Sequence, residues 1–181
     1  MPAPDNQLSL FAVSVACGVA PPACRPLRPY RVPIYTVALV REATLACPQP
    51  QLRGSADVAA LLRQFLGAVD REYFVVLLVD RKHRLIGLNT VSMGSLTASV
   101  VHPREVMKPA ILANAAALIC GHNHPSGDPQ PSQEDRVITT RLVEAGKLLS
   151  VPMLDHVVIG DGTTAYYSFA DAGALEETPR C

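Results

Sequence analysis

The sequence lacks three features that mark common classes of protein: paired cysteines, net charge and long apolar runs. Its five cysteines are an odd number without Cys-x-x-Cys spacing, which argues against a disulfide framework and a cysteine-based metal site. The formal net charge is zero, so an electrostatic surface for nucleic acid is not indicated. The apolar run at residues 8–20 is too short to span a bilayer. These absences disfavour secreted mini-proteins, basic DNA-binding domains and membrane proteins.

The same features predict a cytoplasmic chain with no membrane partner. Residues 8–20 have the length of a signal-peptide core, but Asp5 is the only charged side chain before them and a basic leader is missing. Unpaired cysteines fit a reducing compartment. With 181 residues, 49% of them hydrophobic, the chain is large enough for one domain with a substantial core.

The pattern along the chain predicts three segments: a proline-rich, flexible stretch over 1–30, a globular domain over 31–169 and a frayed tail over 170–181. Strands are expected over 34–40, 73–79, 84–91, 96–101, in the short apolar run that ends 115–121, and over 154–159 and 164–169. Helices are expected over 56–67 with Ser55 as cap, over 103–118 with a kink at Pro109 or a start near Met107, and over 132–149. Alternating helices and strands with some hairpins predict an α/β or α+β fold, in which helices flank a mixed central sheet.

Residues 122–135 carry the most specific pattern, His-Asn-His-Pro-Ser-Gly-Asp-Pro-Gln-Pro-Ser-Gln-Glu-Asp. His122 and His124, two apart at the end of a strand, point to the same side of the sheet. After a turn-rich loop, Ser132 is expected to cap a helix that carries Asp135 in its first turn. Two imidazoles and one carboxylate leave a fourth position open, as in a catalytic zinc site.

Two other histidine and cysteine roles remain open from the residues. Cys120 precedes His122 by two positions, and as a fourth ligand it would make the zinc structural. His156 is either a group that supports the metal site or a core histidine bonded to Asp155 or the backbone. His83 and His102 are assigned to a turn and a helix start, without a metal role.

With these residues the sequence resembles the JAMM-motif zinc metalloproteases of the JAB/MPN family, and in particular their RadC-like branch. His122-x-His124-Pro, Ser132 and Asp135 match the motif, and the likeness extends over roughly residues 55–168. The resemblance implies a JAB/MPN-like, cytidine-deaminase-like sandwich. It also implies that His122, His124 and Asp135 bind Zn²⁺ and that Ser132 hydrogen-bonds the carbonyl oxygen of the substrate.

The resemblance further implies a glutamate that acts as general base just before a hydrophobic strand. Glu72 stands in that place, and Glu105 is the alternative. The position of Glu72 alone would equally suit a solvated charge at the start of a strand.

The resemblance implies a zinc-dependent hydrolase that cleaves an amide, peptide or isopeptide bond of a protein or peptide substrate. The alternative is a RadC-type accessory protein of DNA repair or mobile-element maintenance without peptidase activity. A third class, a fold kept only as an interaction module, is disfavoured because all three ligands are present. DNA is a possible partner that the charge does not indicate, and no oligomeric state is predicted.

Overall fold

The computed structural model describes residues 31–47, 49–67, 69–94 and 101–175. The chain divides into two compact units, Met1–Tyr35 and Thr36–Cys181, and every helix and strand below belongs to the second. The helices and strands of the described residues are α1 (Ser55–Leu66), β1 (Tyr73–Val79), β2 (Leu85–Met93), α2 (Pro103–Leu112), β3 (Ala117–His124), α3 (Gln133–Leu149), β4 (Met153–Gly160) and β5 (Tyr166–Ser168).

The strands form one mixed sheet in the order β2-β1-β3-β4-β5. β1 runs antiparallel to β2 and β3, β3 and β4 are parallel, and β5 pairs antiparallel with β4. Helix α3 makes the crossover between the parallel pair. The predicted α+β architecture, with helices flanking a mixed central sheet, is therefore confirmed.

The two faces of the sheet are covered by different helices. Helix α1 covers one face, where its apolar residues pack against Val75, Leu77 and Ile119. Helices α2 and α3 cover the other face, against Phe74, Val76, Leu118 and Cys120. Because side chains alternate along a strand, His122 lies on the α2/α3 side with Cys120.

Several sequence predictions of secondary structure are wrong. Residues 31–46 are exposed and contain no helix or strand, although 34–40 is apolar and partly β-branched; β propensity depends on a partner surface, which this segment does not find. Helix α2 ends at Leu112 rather than 118, because the chain turns at Asn114 and the next residues form β3. Ser55 is the first helical residue, not the cap, and its hydroxyl bonds Asp171.

Other predicted elements agree in type and place. β1 has the predicted bounds, β2 forms the predicted hairpin with it, and β4 and β5 are joined by the turn at Gly160–Gly162. Helix α2 begins at Pro103, so the start near Met107 was wrong, and it accommodates Pro109.

Some predictions fall at the limits of the described residues. Most of the strand predicted over 96–101 lies outside them, as does 1–30. Residues 170–175, assigned to the tail, form hydrogen-bonded turns, and Leu175 packs against the α2/α3 core. Among the described residues, no helix has the length and apolar character needed to cross a membrane.

Candidate metal centre

Three side chains meet where β3 ends and α3 begins. His122 and His124 lie at the C-terminal end of β3, and Asp135 lies in the first turn of α3. His122 Nε2 is 3.0 Å from His124 Nε2. Asp135 Oδ1 is 3.3 Å from His122 Nε2, and its Oδ2 is 3.5 Å from His124 Nε2. Two imidazoles and a carboxylate therefore form a buried group that could hold a metal ion.

The distances suit ligands of one ion better than a direct ion pair. Charge-assisted N–H···O bonds are usually about 2.7–2.9 Å long, shorter than either histidine–aspartate distance here. Ligand atoms about 2.0–2.1 Å from a tetrahedral zinc are separated by about 3.3 Å. The separation of the two Nε2 atoms, 3.0 Å, and the distances from Asp135 Oδ1 to His122 and from Oδ2 to His124, 3.3 and 3.5 Å, lie around that value. The donor set thus fits the size and chemistry of zinc.

The other ring nitrogen of each histidine is occupied by a partner outside the cluster. His124 Nδ1 lies 2.7 Å from the backbone carbonyl of Asp128, which can only accept, so this nitrogen carries the proton. His122 Nδ1 lies 2.9 Å from His156 Nε2. In the neutral rings the Nε2 lone pairs are then directed at the point where the three side chains meet, the arrangement expected of metal ligands.

The electrostatics of the group also favour a cation. The nearby Asp135 carboxylate raises the pKa of His124 against the effect of burial, and the Asp128 carbonyl and the charge of Glu72 add to the increase. Burial raises the pKa of Asp135, but the imidazoles of His122 and His124 and the Ser132 hydroxyl outweigh it, so the pKa lies well below its ordinary value. The carboxylate stays ionised, and the site attracts positive charge.

Asp135 is fixed by the helix start that the sequence predicted. Ser132 is the N-cap of α3 and forms a capping box with Asp135. The Ser132 hydroxyl donates to Asp135 Oδ2 at 2.7 Å, and its backbone N–H donates to the same oxygen at 2.7 Å. The single hydroxyl proton of Ser132 is therefore directed at the carboxylate, and it must rotate away to reach a substrate oxygen.

His156 lies next to the candidate ligands, as the first of the two readings of the sequence expected. Its backbone N–H does bond Asp155, but its buried ring bridges His122 and Thr139. Burial, with the nearby His122, lowers the pKa of His156 well below its ordinary value, so the ring is neutral. A consistent chain of donors follows: His122 Nδ1–H to His156 Nε2, His156 Nδ1–H to Thr139 Oγ1 at 2.6 Å, and Thr139 to the Asp135 carbonyl at 2.6 Å.

The loop between β3 and α3 is held against the β4–β5 turn. The carbonyl of His124 accepts from the backbone N–H of Gly127 at 3.0 Å and from that of Asp161 at 3.1 Å. Gly127 has φ +83°, and its carbonyl lies where a side chain at position 160 would be, so both positions require glycine. This contact fixes the loop that presents the Asp128 carbonyl to His124.

Glu72 and Glu105, the two candidates for a general base, differ in their surroundings. Glu72 precedes β1 and is partly buried, and its charge contributes to the raised pKa of His124. The register of β1 with β3 pairs Phe74 with His122, and two residues further on it would bring Glu72 opposite His124. Glu105 lies in the first turn of α2, where hydrogen bonding by Lys108, 2.6 Å away, lowers its pKa. Of the two, Glu72 is the one whose charge acts on His124.

Cys120 does not join the ligand group. It is fully buried two residues before His122, but the metal-binding group of the described residues contains only the two histidines and Asp135. Burial raises the pKa of the Cys120 thiol far above its ordinary value, which disfavours the thiolate that a metal requires. The alternative of a fourth, cysteine ligand therefore finds no support.

Two supporting residues escaped sequence reasoning. Thr139 follows Asp135 by four residues, so it shares the helix face of a predicted ligand, which was an available signal. Asn123 carried no signal: its position between the two histidines directs it away from them, and its partners come from β1 and the β4–β5 turn.

The chain is similar to known proteins over most of its length. The model of the RadC-like JAB domain matches residues 52–174, well over half of the chain. A UPF0758 protein of Rubrobacter xylanophilus is 47% identical over 127 residues, which make up 70% of this chain and 55% of that protein.

Two further UPF0758 proteins give the same picture. That of Moorella thermoacetica is 48% identical over 122 residues, 67% of this chain and 53% of the relative. That of Methanosarcina acetivorans is 44% identical over 140 residues, 77% of this chain and 60% of the relative. The chain thus spans little more than half the length of these relatives. Because the family model matches more than half of the chain and relatives share 44–48% identity with it, the chain belongs to the RadC-like JAB domain family.

Proposed function

We propose that this domain is a zinc-dependent hydrolase of the JAMM type, which cleaves an amide, peptide or isopeptide bond. The observation that carries the proposal is the meeting of His122 Nε2, His124 Nε2 and the Asp135 carboxylate at 3.0–3.5 Å. Three protein ligands leave a fourth position for water or substrate, as catalytic zinc sites require. A structural zinc would need a fourth protein ligand.

The proposal assigns each remaining polar group one task. Zinc held by the three ligands would supply Lewis-acid chemistry, which polarises a carbonyl oxygen and lowers the pKa of water toward about 7. Glu72, beside His124, takes a proton from the water as it attacks the carbonyl carbon, and passes it to the amine when the C–N bond breaks. The Ser132 hydroxyl keeps its proton and donates a hydrogen bond to the carbonyl oxygen as that oxygen becomes negative.

The substrate class proposed is a protein or peptide, because the chemistry of the site suits an amide bond. The alternative, an accessory protein of DNA repair or mobile-element maintenance, rests on the RadC-like family name. The formal net charge of zero provides no general attraction to DNA. Of the two, the hydrolase is the one to which the geometry of the site lends support.

The first test measures zinc and hydrolysis together. We expect about one zinc per chain in the purified protein and, in a screen of peptide and isopeptide libraries, a chelator-sensitive cleavage. His122→Ala should lose both. His102→Ala is the matched control, because His102 is an exposed residue at the start of α2, and it should lose neither.

The state of the metal-free protein separates a catalytic from a structural ion. The core on both faces of the sheet is built without the ligand cluster, so chelation should leave a cooperative thermal transition. Collapse of that transition would indicate a structural zinc. Full zinc occupancy in His122→Ala, or cleavage that survives complete chelation, would contradict the proposed function.

A further inference from the structure

Asn123, the residue between the two histidines, has a fully buried side chain that faces away from them. It lies on β3 between His122 and His124, so strand alternation directs it to the opposite face of the sheet. Its carboxamide reaches the chain just before β1: Oδ1 accepts from the Tyr73 backbone N–H at 2.8 Å, and Nδ2 donates to the Arg71 carbonyl at 3.0 Å. These two backbone groups flank Glu72.

The hydrogen bonds define the orientation of the amide without ambiguity. Tyr73 offers only an N–H at this point, and the Arg71 carbonyl and the Asp161 carboxylate can only accept. Nδ2 donates to Asp161 Oδ2 at 2.7 Å, so both amide protons and the oxygen are used. An aspartate at this position would face two acceptors, and a shorter side chain would leave buried backbone groups without partners.

The hydrogen bonds of Asn123 with Arg71 and Tyr73 continue the contact between β1 and β3 beyond the last backbone pair of the two strands. The register between these strands ends at Phe74 and His122, and the Asn123 side chain supplies the next contacts in place of the backbone. On the other side, the Glu72 carbonyl accepts from the Gly94 N–H at 2.8 Å. The backbone around Glu72 is thus held from both neighbouring strands.

We propose that Asn123 is a positioning residue that fixes Glu72 beside the metal ligands, with Asp161 orienting its amide. The inference rests on the proposed function, since it gives Glu72 the role of general base. It explains why a polar side chain is buried between two ligands that it does not touch. The end of β3 then carries the histidine ligands on one face of the sheet. On the opposite face, Asn123 holds the backbone on either side of the general base.

The main test uses Asn123→Ala, with Asn89→Ala as matched control because Asn89 is an exposed asparagine in the neighbouring β2. Asn123→Ala should keep about one zinc per chain, since the three ligands are intact. It should lower kcat by about 10- to 100-fold, the loss expected from a misplaced catalytic group, with little change in KM. Hydrogen exchange, which needs no substrate, should show lost protection of the Tyr73 amide. Asn89→Ala should change none of these.

A double-mutant cycle separates positioning of Glu72 from a general structural role. In a Glu72→Gln background, Asn123→Ala should cause no further fall in kcat, because the base on which it acts is already gone. A further fall of the same size as in the wild type would overturn the proposal. So would full activity and full Tyr73 protection in Asn123→Ala.

Asp161→Ala keeps the test decisive if Asn123→Ala does not fold. Asp161 is partly exposed, and its backbone N–H, which supports the metal loop, is retained in the variant. Asp161→Ala should reduce hydrogen-exchange protection of the Tyr73 amide and lower kcat, in both cases by less than Asn123→Ala; no change in either would overturn the inference.

If Glu72→Gln is itself fully active, both the assigned base and its positioning fail. If Glu72→Gln is impaired while the Asn123 and Asp161 variants are normal, only the positioning fails.

Discussion

Two buried aspartates of this domain have similar partners and opposite chemistry. Asp135 and Asp155 are 9% and 7% exposed, and each accepts a short hydrogen bond from a serine hydroxyl, Ser132 or Ser168, and at least one backbone N–H. Burial dominates at Asp155 and raises its pKa. At Asp135 the neighbouring imidazoles outweigh burial and the pKa falls.

The difference shows what turns a buried carboxylate into a candidate ligand. Asp155 is surrounded by neutral donors that satisfy both its oxygens and join β4 to the turn after β5. The two oxygens of Asp135 lie 3.3 and 3.5 Å from imidazole nitrogens of His122 and His124. The other ring nitrogens of these histidines are hydrogen-bonded to His156 and to the Asp128 carbonyl. Burial and hydrogen bonding are common to both aspartates. Only the carboxylate of Asp135 lies beside two imidazole nitrogens that can bind a metal ion together with it.

The largest effect should come from neutralising one aspartate or the other. Asp135→Asn removes the anionic ligand, so zinc should fall from about one per chain to near zero after dialysis, with loss of all hydrolysis. Asp155→Asn should keep its zinc, because Asp155 lies outside the ligand group. Elemental analysis of both variants checks this. Equal zinc content in the two would remove the distinction between the aspartates.

Replacing Glu72 tests whether the acid–base function is separate from the ligand group. Glu72→Gln keeps the shape but cannot accept a proton, so hydrolysis should fall by about 10²- to 10⁴-fold while zinc stays bound. Glu105→Gln weakens only exposed ion pairs with Arg104 and Lys108 and should be nearly neutral. Steady-state rates with parallel zinc analysis decide between them. An active Glu72→Gln beside an inactive Glu105→Gln would reverse the assignment.

The two serines offer the closest matched pair. Ser132→Ala should lower kcat by about 10²- to 10³-fold if the hydroxyl stabilises the carbonyl oxygen in the transition state. It should also cost about 1 kcal/mol of stability through loss of the helix cap. Ser168→Ala removes an equally short hydrogen bond to Asp155 and should cost about 1–3 kcal/mol of stability without affecting kcat.

Rates and denaturation curves of both serine variants make the comparison. If Ser132→Ala loses stability but keeps its kcat, like Ser168→Ala, the Ser132 hydroxyl caps helix α3 and takes no part in catalysis. That outcome has a structural basis, since its proton already points at Asp135 Oδ2.

The sequence predicted the local part of this site and missed the part that depends on topology. His122, His124, Ser132 and Asp135 lie within one strand–loop–helix unit, where strand alternation and capping rules determine their directions. His156 reaches the site because β4 pairs in parallel with β3, which places it beside Cys120. No spacing within the chain encodes that neighbour, so the residues alone left both readings of His156 open.

The same distinction explains the errors in the fold. β1 and β2 are adjacent in sequence, and their hairpin was predicted closely because a short turn joins them. Residues 34–40 have the composition of a strand, but a strand requires an edge to pair with, and composition does not say whether one is reached. The end of α2 was missed because Ala115–Leu118 suit a helix as well as a buried strand.

The smallest expected effect is a pH dependence of stability at Asp155. Because burial raises its pKa in the folded protein above the unfolded value, folding favours the protonated form. The contribution of this group is fully present below the unfolded pKa, near 3.8, and is lost as the pH rises through the folded pKa. Asp155→Asn, which cannot ionise, lacks this loss. Relative to the wild type, the variant should therefore be least stable at acidic pH and should gain stability as the pH rises toward neutrality.

Urea unfolding of both proteins in the metal-free state, at several pH values from about 4 to 7, measures the difference in their free energies of unfolding. A difference that is constant with pH, or that grows in favour of the wild type, would mean that the hydrogen bonds from Ser168, His156 and Ala170 overcome burial, and that Asp155 resembles Asp135 more than its surroundings indicate.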